Sequence, residues 1–135
     1  AAAFAVLAVA GVALILVRRL RQRTPETPRA WALQEFERIG SEPTARSLDR
    51  LAQVLRMFLE RETPIPAMRL TTPELILEAE RYAGNICVAT TRLRDILERC
   101  DAEKFARETI TSAEFHRLLD ESRTLVEAVA KPETC

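Results

Sequence analysis

Glycine is scarce in this sequence. Gly11, Gly40 and Gly84 are the only three in 135 residues. That spacing excludes a phosphate-cradling loop, a Walker signature and a dinucleotide fingerprint, all of which need clustered glycines. Aromatic residues make up 5% of the chain, too few for the stacking platforms of a single-stranded nucleic-acid binder. The one histidine is His116, and the three cysteines, Cys87, Cys100 and Cys135, include no Cys-x-x-Cys pair. A zinc site of the usual kind is therefore not expected. The Glu-rich stretches around Glu60 and Glu78 lack the Glu-x-x-His pairs of di-metal bundles. No metal or cofactor is expected, and no strand is predicted, because stretches of alternating polarity are missing as well.

Charge is balanced overall but not along the chain. All 20 carboxylates follow Arg23, whereas Arg18, Arg19, Arg21 and Arg23 precede or end that point, leaving 16 basic residues against 20 acidic ones and a net of −4 for the remainder. A mildly acidic domain is a poor match for DNA or RNA, so no nucleic-acid partner is expected.

What the sequence does have is a long apolar opening. Ala1 to Val17 contains no charge and no side-chain hydrogen-bonding group, and Arg18, Arg19, Arg21 and Arg23 follow at once. Such a run predicts a membrane helix, since a helix satisfies its own backbone where no water is available. At about 1.5 Å per residue it covers roughly 25 Å, a little short of the roughly 30 Å hydrocarbon core. The chain begins without Met, in mid-pattern, and upstream residues are expected. A signal peptide would carry its positive charges before the apolar region, and a buried core helix would show a polar face. Nine of the 17 residues are Phe, Val, Leu or Ile, which favours insertion by roughly 3 to 5 kcal/mol. The positive-inside rule then puts the arginines and all that follows in the cytoplasm, the N-terminus outside, and the basic flank against anionic lipid headgroups. In that compartment the cysteines are expected as reduced thiols, Cys87 and Cys100 serving as small hydrophobes.

Leu, Ala, Glu and Arg dominate the rest, a helical composition. Pro25 and Pro28 end the first helix. A second begins at Pro28 with Thr27 as N-cap, carries Trp31, Leu33, Phe36 and Ile39, and stops at Gly40. The next starts at Ser41–Pro43, carries Leu48, Leu51, Leu55, Phe58 and Leu59, and ends near Glu62, before a non-helical Thr63-Pro64-Ile65-Pro66. Thr71 with Glu74 forms a capping box, or Thr72 before Pro73 is the cap, for a helix with Leu75, Ile76, Ala79 and Tyr82 that ends at Gly84-Asn85. A further helix spans roughly Ile86 to Arg99, and Asp101 to Ala106 reads as a turn or one short helical turn. Thr111 with Glu114 caps the last helix, which carries Phe115, Leu118, Leu119, Leu125, Val126 and Val129 until Lys131-Pro132. The expectation is all-α: residues 1–23 an anchor with its basic flank, residues 24–135 a small cytoplasmic bundle of about five helices.

Little in this pattern points to catalysis. His116 lies between Phe115 and Arg117, and its neighbour one turn back, Ser112, fits a cap better than a nucleophile. The chain is not expected to be an enzyme.

Three segments carry a resemblance. They are Leu55-Arg56-Met57-Phe58-Leu59-Glu60-Arg61, then Ile65-Pro66-Ala67 leading to Leu70-Thr71-Thr72-Pro73-Glu74-Leu75, then Ile96-Leu97-Glu98-Arg99-Cys100-Asp101-Ala102-Glu103-Lys104-Phe105-Ala106. In this order, behind a membrane span and an Arg-rich flank, they resemble the membrane-anchored cytoplasmic region of the Bat (Bacteroides aerotolerance) family D proteins. They equally resemble a related short family of one-span bacterial proteins. The likeness covers about Arg18 to Val129; Thr71-Thr72-Pro73-Glu74-Leu75 and Asp101 with Lys104-Phe105-Ala106 are its most specific parts. Family members usually carry a Phe-Gly-Ile step before the Thr-Thr, replaced here by Glu62-Thr63-Pro64-Ile65.

The resemblance implies a bacterial inner-membrane accessory or scaffold protein. Its implied partners are a MoxR-type AAA+ ATPase and membrane proteins with von Willebrand factor A domains. The motif residues Arg56, Phe58, Leu59, Glu60, Thr71, Thr72, Glu74, Asp101, Lys104 and Phe105 are then either structural or partner-binding. As structure, Thr71, Thr72 and Glu74 cap a helix, a contribution of about 1 kcal/mol. Asp101 caps the turn that follows it, Phe105 plugs the core and Lys104 pairs with a carboxylate. As a surface, Arg56 and Arg61 are exposed docking candidates. The competing expectation is a structural subunit of a large respiratory or secretion complex, its span packed through Gly11 and the alanines.

Overall fold

The computed structural model describes residues 2–22, 27–82, 86 and 89–130. Among them there are six α-helices and no strand: α1 Ala2–Gln22, α2 Pro28–Ser41, α3 Ser47–Glu62, α4 Thr72–Arg81, α5 Thr90–Ala106 and α6 Ser112–Ala130. A single 3₁₀ turn, Ala67–Arg69, sits between α3 and α4. The chain is all-α, and five helices follow the first. Cys87, Gly84-Asn85, Lys131-Pro132 and Cys135 lie outside the described residues.

The helix starts follow local chemistry. Thr27 Oγ1 accepts from the Ala30 N–H at 3.1 Å, with Pro28 in the first turn. Thr71 and Glu74 close the capping box reciprocally: Thr71 Oγ1 accepts from the Glu74 N–H at 3.4 Å and Glu74 Oε2 from the Thr71 N–H at 3.3 Å. At α6 only half the expected box forms. Thr111 Oγ1 accepts from the Glu114 N–H at 3.2 Å, but the Glu114 carboxylate turns to Arg99 Nε at 2.6 Å. That hydrogen bond from Arg99 holds Glu114 below the usual carboxylate range.

α3 is the central element, packing against α2, α5, α6 and the 3₁₀ turn. Leu51, Val54, Leu55, Phe58 and Leu59 form its buried stripe, all fully enclosed, at the three-and-four spacing of one helix face. Phe36, Leu75, Leu93, Ile96, Leu97, Leu118 and Leu119 close around it. The bundle has two distinguishable ends. At one, Arg29 of α2 meets Glu127 of α6 at 2.6 Å, and the Arg61 guanidinium of α3 covers the half-buried Trp31 ring at 4.5 Å. At the other, Lys104 of α5 meets Asp49 of α3 at 3.3 Å.

Three boundaries differ from those predicted: α5 begins at Thr90 rather than at Ile86, and two others have a visible local cause. α3 begins at Ser47 rather than at Ser41–Pro43. The Thr44 N–H donates to Ser47 Oγ at 2.7 Å, so a side-chain turn occupies the intervening residues. α5 does not stop at Arg99: residues 101–106, expected as a turn, continue it to Ala106. Asp-Ala-Glu-Lys-Phe-Ala contains neither Gly nor Pro, and nothing in it breaks the helix. Termination comes at Arg107, in the left-handed region at φ 55°, ψ 31°, with the Glu108 N–H returning to Ala102 O at 3.4 Å.

α1 is unlike the others. Every described side chain along it, Ala3 to Arg19, is exposed, including Phe4 at 81% and Leu7 at 70%. A Cβ placed on Gly11 would meet nothing within 4 Å. Among the described residues no helix is long and apolar enough to cross a membrane. The described apolar run, Ala3 to Val17, covers roughly 22 Å at about 1.5 Å per residue.

Candidate functional site

The motif residues converge on one corner of the bundle, where α3, α4 and α5 meet. Arg56 reaches from α3 across the connection that follows it. Its Nη1 donates to Ala67 O at 3.0 Å and to Leu70 O at 2.5 Å, and its Nη2 donates to Thr72 Oγ1 at 3.0 Å. The Thr72 hydroxyl, buried at the first residue of α4, donates onward to Asp101 Oδ2 on α5 at 2.6 Å. Glu60 Oε2, one turn beyond Arg56, accepts from the Met68 N–H at 3.1 Å. The Pro-containing segment between α3 and α4 exposes carbonyls and amides with no helical partner, and Arg56 and Glu60 supply the missing ones. Burial lowers the Arg56 pKa, with Asp101 opposing that shift.

Several expectations are corrected here. Arg56 is not an exposed docking residue; its guanidinium is spent on the segment 67–72. Arg61 is exposed as expected, its guanidinium lying over the Trp31 ring. Asp101 does not cap a turn, because it lies inside α5 and accepts from Thr72. Thr72 is not the cap of α4; Thr71 is. Phe105 does not plug the core: it is 76% exposed. Phe58 and Leu59 are fully buried, and Lys104 pairs with a carboxylate as expected.

Phe105 stands between two clefts. One, of about 580 Å³, runs between α4 and α5 over Pro73, Ile76, Leu77 and Ala102, with Glu98 and Asp101 along its α5 side. The other, of about 520 Å³, lies between α3 and α5 over Ala52, Arg56 and Met68. Leu77 and Met68, 48% and 45% exposed, are not among the residues singled out from sequence. The signal for Leu77 was there, since it falls outside the Leu75, Ile76, Ala79 stripe of its own helix.

Two described side chains, Cys100 and His116, carry groups of catalytic type. The Cys100 thiol is buried and pushed up to about 12 by that burial, with Asp101 adding to the shift, which keeps it from acting as a thiolate. His116 is exposed beside Phe115, ring centroids 5.6 Å apart. Among the described residues no group of three His, Cys, Asp or Glu side chains is arranged to hold a metal ion. Of the basic flank, Arg18 and Arg19 are exposed at the end of the apolar run; Arg21 is described only as helical backbone, and Arg23 lies outside the described residues. Searches against family models, curated proteins and solved structures found no match to the chain.

Proposed function

We propose that the chain is a membrane-tethered accessory or scaffold protein, with α1 lying in lipid and the α2–α6 bundle offering a binding surface to other proteins. The observation that carries this reading is the apolar surface of α1, exposed around its whole circumference from Ala3 to Val17. An amphipathic helix buries one stripe and leaves the other wet; a helix apolar all round calls for an apolar surrounding. Arg18 and Arg19 follow that surface and suit an anionic headgroup layer, where their stems can lie along apolar surface with the charge in water. The short apolar length is accommodated by local thinning of the bilayer and by those snorkelling arginines. On this reading the protein sits in a bacterial inner membrane, N-terminus outside and bundle in the cytoplasm, and it is not an enzyme. Its partners are a MoxR-type AAA+ ATPase and von Willebrand factor A membrane proteins. Tethering raises the bundle's effective concentration toward other subunits of the same membrane.

Fractionation tests the tether. The full chain expressed in a bacterium is expected to stay in the membrane pellet through alkaline carbonate extraction. A cysteine introduced at Ala3 should react with an impermeant maleimide from outside, and one at Glu121 should not. Release of the chain into the carbonate supernatant sinks the tether.

A second reading, a structural subunit of a larger membrane complex, is favoured by the open surface at Gly11, where a neighbouring helix can approach closely. Purification in mild detergent separates the two. Co-purifying ATPase supports the accessory role, and co-purifying channel or redox subunits support the structural one.

A further inference from the structure

We propose that the cleft between α4 and α5, headed by Phe105, is the docking groove for an amphipathic helix of a protein partner whose flanks carry Lys and Arg. The proposal rests on the partner-binding reading above and names its surface. Outside α1, the large apolar side chains exposed among the described residues are Met68, Leu77 and Phe105, at 45%, 48% and 76%. Each lines one of the two adjoining clefts, and Phe105 lines both. Scattered exposed apolar residues are ordinary, but three gathered around one aromatic mark an interaction surface. An aromatic beside a groove is also the usual anchor of such a surface.

The shape fits a helix. The floor of the α4–α5 cleft is apolar, through Pro73, Ile76, Leu77 and Ala102. Its two helical walls would receive apolar side chains repeating every three or four residues. The charge fits a basic flank. Arg94 is paired with Glu80 at 2.6 Å and Asp101 is tied through Thr72 to Arg56, which leaves the exposed carboxylate of Glu98 to set the sign of the wall. The same acidity argues against a second copy of this bundle, itself net negative, and against an anionic lipid surface. Position argues against lipid too. Phe105 adjoins Lys104, which meets Asp49 at the start of α3, whereas α2 begins at the other end, where Arg61 of α3 covers Trp31. Arg61 lies twelve residue steps beyond Asp49 on α3, about 18 Å at 1.5 Å per residue.

The test uses the full chain in a mild nonionic detergent and three synthetic helical peptides. They share one Leu/Phe face and differ only in flanks of Lys, Gln or Glu. The Lys-flanked peptide is expected to bind at least tenfold tighter than the Glu-flanked one and to slow amide exchange in α4 and the last turns of α5. Phe105→Ala should weaken it at least tenfold with the thermal midpoint unmoved, and Glu98→Lys should reverse the preference between Lys and Glu flanks. Equal affinity for all three peptides, protection elsewhere on the bundle, or indifference to Phe105→Ala would each overturn the proposal. A photo-crosslinker at position 105 in cells that captures lipid or a second copy of the chain would do the same. Failed fractionation with a successful titration removes the tether alone; the converse removes the groove alone.

Discussion

Thr72 illustrates how much rests on one hydroxyl. It accepts from Arg56 and donates to Asp101, so a single oxygen joins three helices. Thr72→Val keeps the volume and removes both bonds, leaving a half-buried guanidinium and a carboxylate each short of a partner. A loss of about 2 kcal/mol is expected from urea unfolding, against about 1 kcal/mol for Thr71→Ala, which removes only a cap. Cys100 gives a prediction in pH. Burial raises its pKa from 9.0 to about 12, so the folded chain holds the proton that the unfolded chain gives up. Its contribution to stability is complete below pH 9 and is lost as pH rises toward 12. Cys100→Ala should therefore flatten the alkaline limb of the urea midpoint relative to the parent chain. Arg56 shows what periodicity hides. Beside Leu55 and ahead of Phe58 it reads as one more solvated cation, because its acceptors are carbonyls 11 and 14 residues away.

Among the helices, those with local signals were legible and those needing a distant partner were not. The Thr71–Glu74 box and the Thr27 cap are contained within four residues, so the sequence shows both, with Thr72 before Pro73 left as a competing cap that the structure excludes. The α3 stripe was equally plain, since five large apolar residues at helical spacing have few other uses. The end of α5 is hidden in the sequence because the residues after Cys100 are mostly polar, and polarity alone does not separate an exposed helical turn from a loop. Helical continuation has a direct consequence: at 100° per residue, Phe105 lies about 140° around the axis from the buried Cys100, which turns it away from the core. Asp101, 100° around, faces α4 and finds Thr72. The true terminator is Arg107, held at φ 55°, where an L side chain is disfavoured by about 1 kcal/mol. Arg107→Gly should raise stability by about that amount, read as a higher thermal midpoint with unchanged helical circular dichroism.

Taken together, the chain joins two surfaces of different character. α1 presents apolar side chains in every direction, while the bundle hides nearly all of its own and shows Phe105, Leu77 and Met68. Removal of residues 1–23 should consequently leave a bundle that stays monomeric in water, whereas the intact chain should need detergent or lipid to avoid association; sedimentation of the two checks this. The bundle's core is closed without α1, which is why its composition could be read as a separate domain. The antiparallel course of α3 has one more effect. It fixes a standoff: Phe105, next to Lys104 and its partner Asp49, stands roughly 18 Å along α3 from the level of Trp31. Adding or deleting turns in α3 and its neighbours would reset that distance.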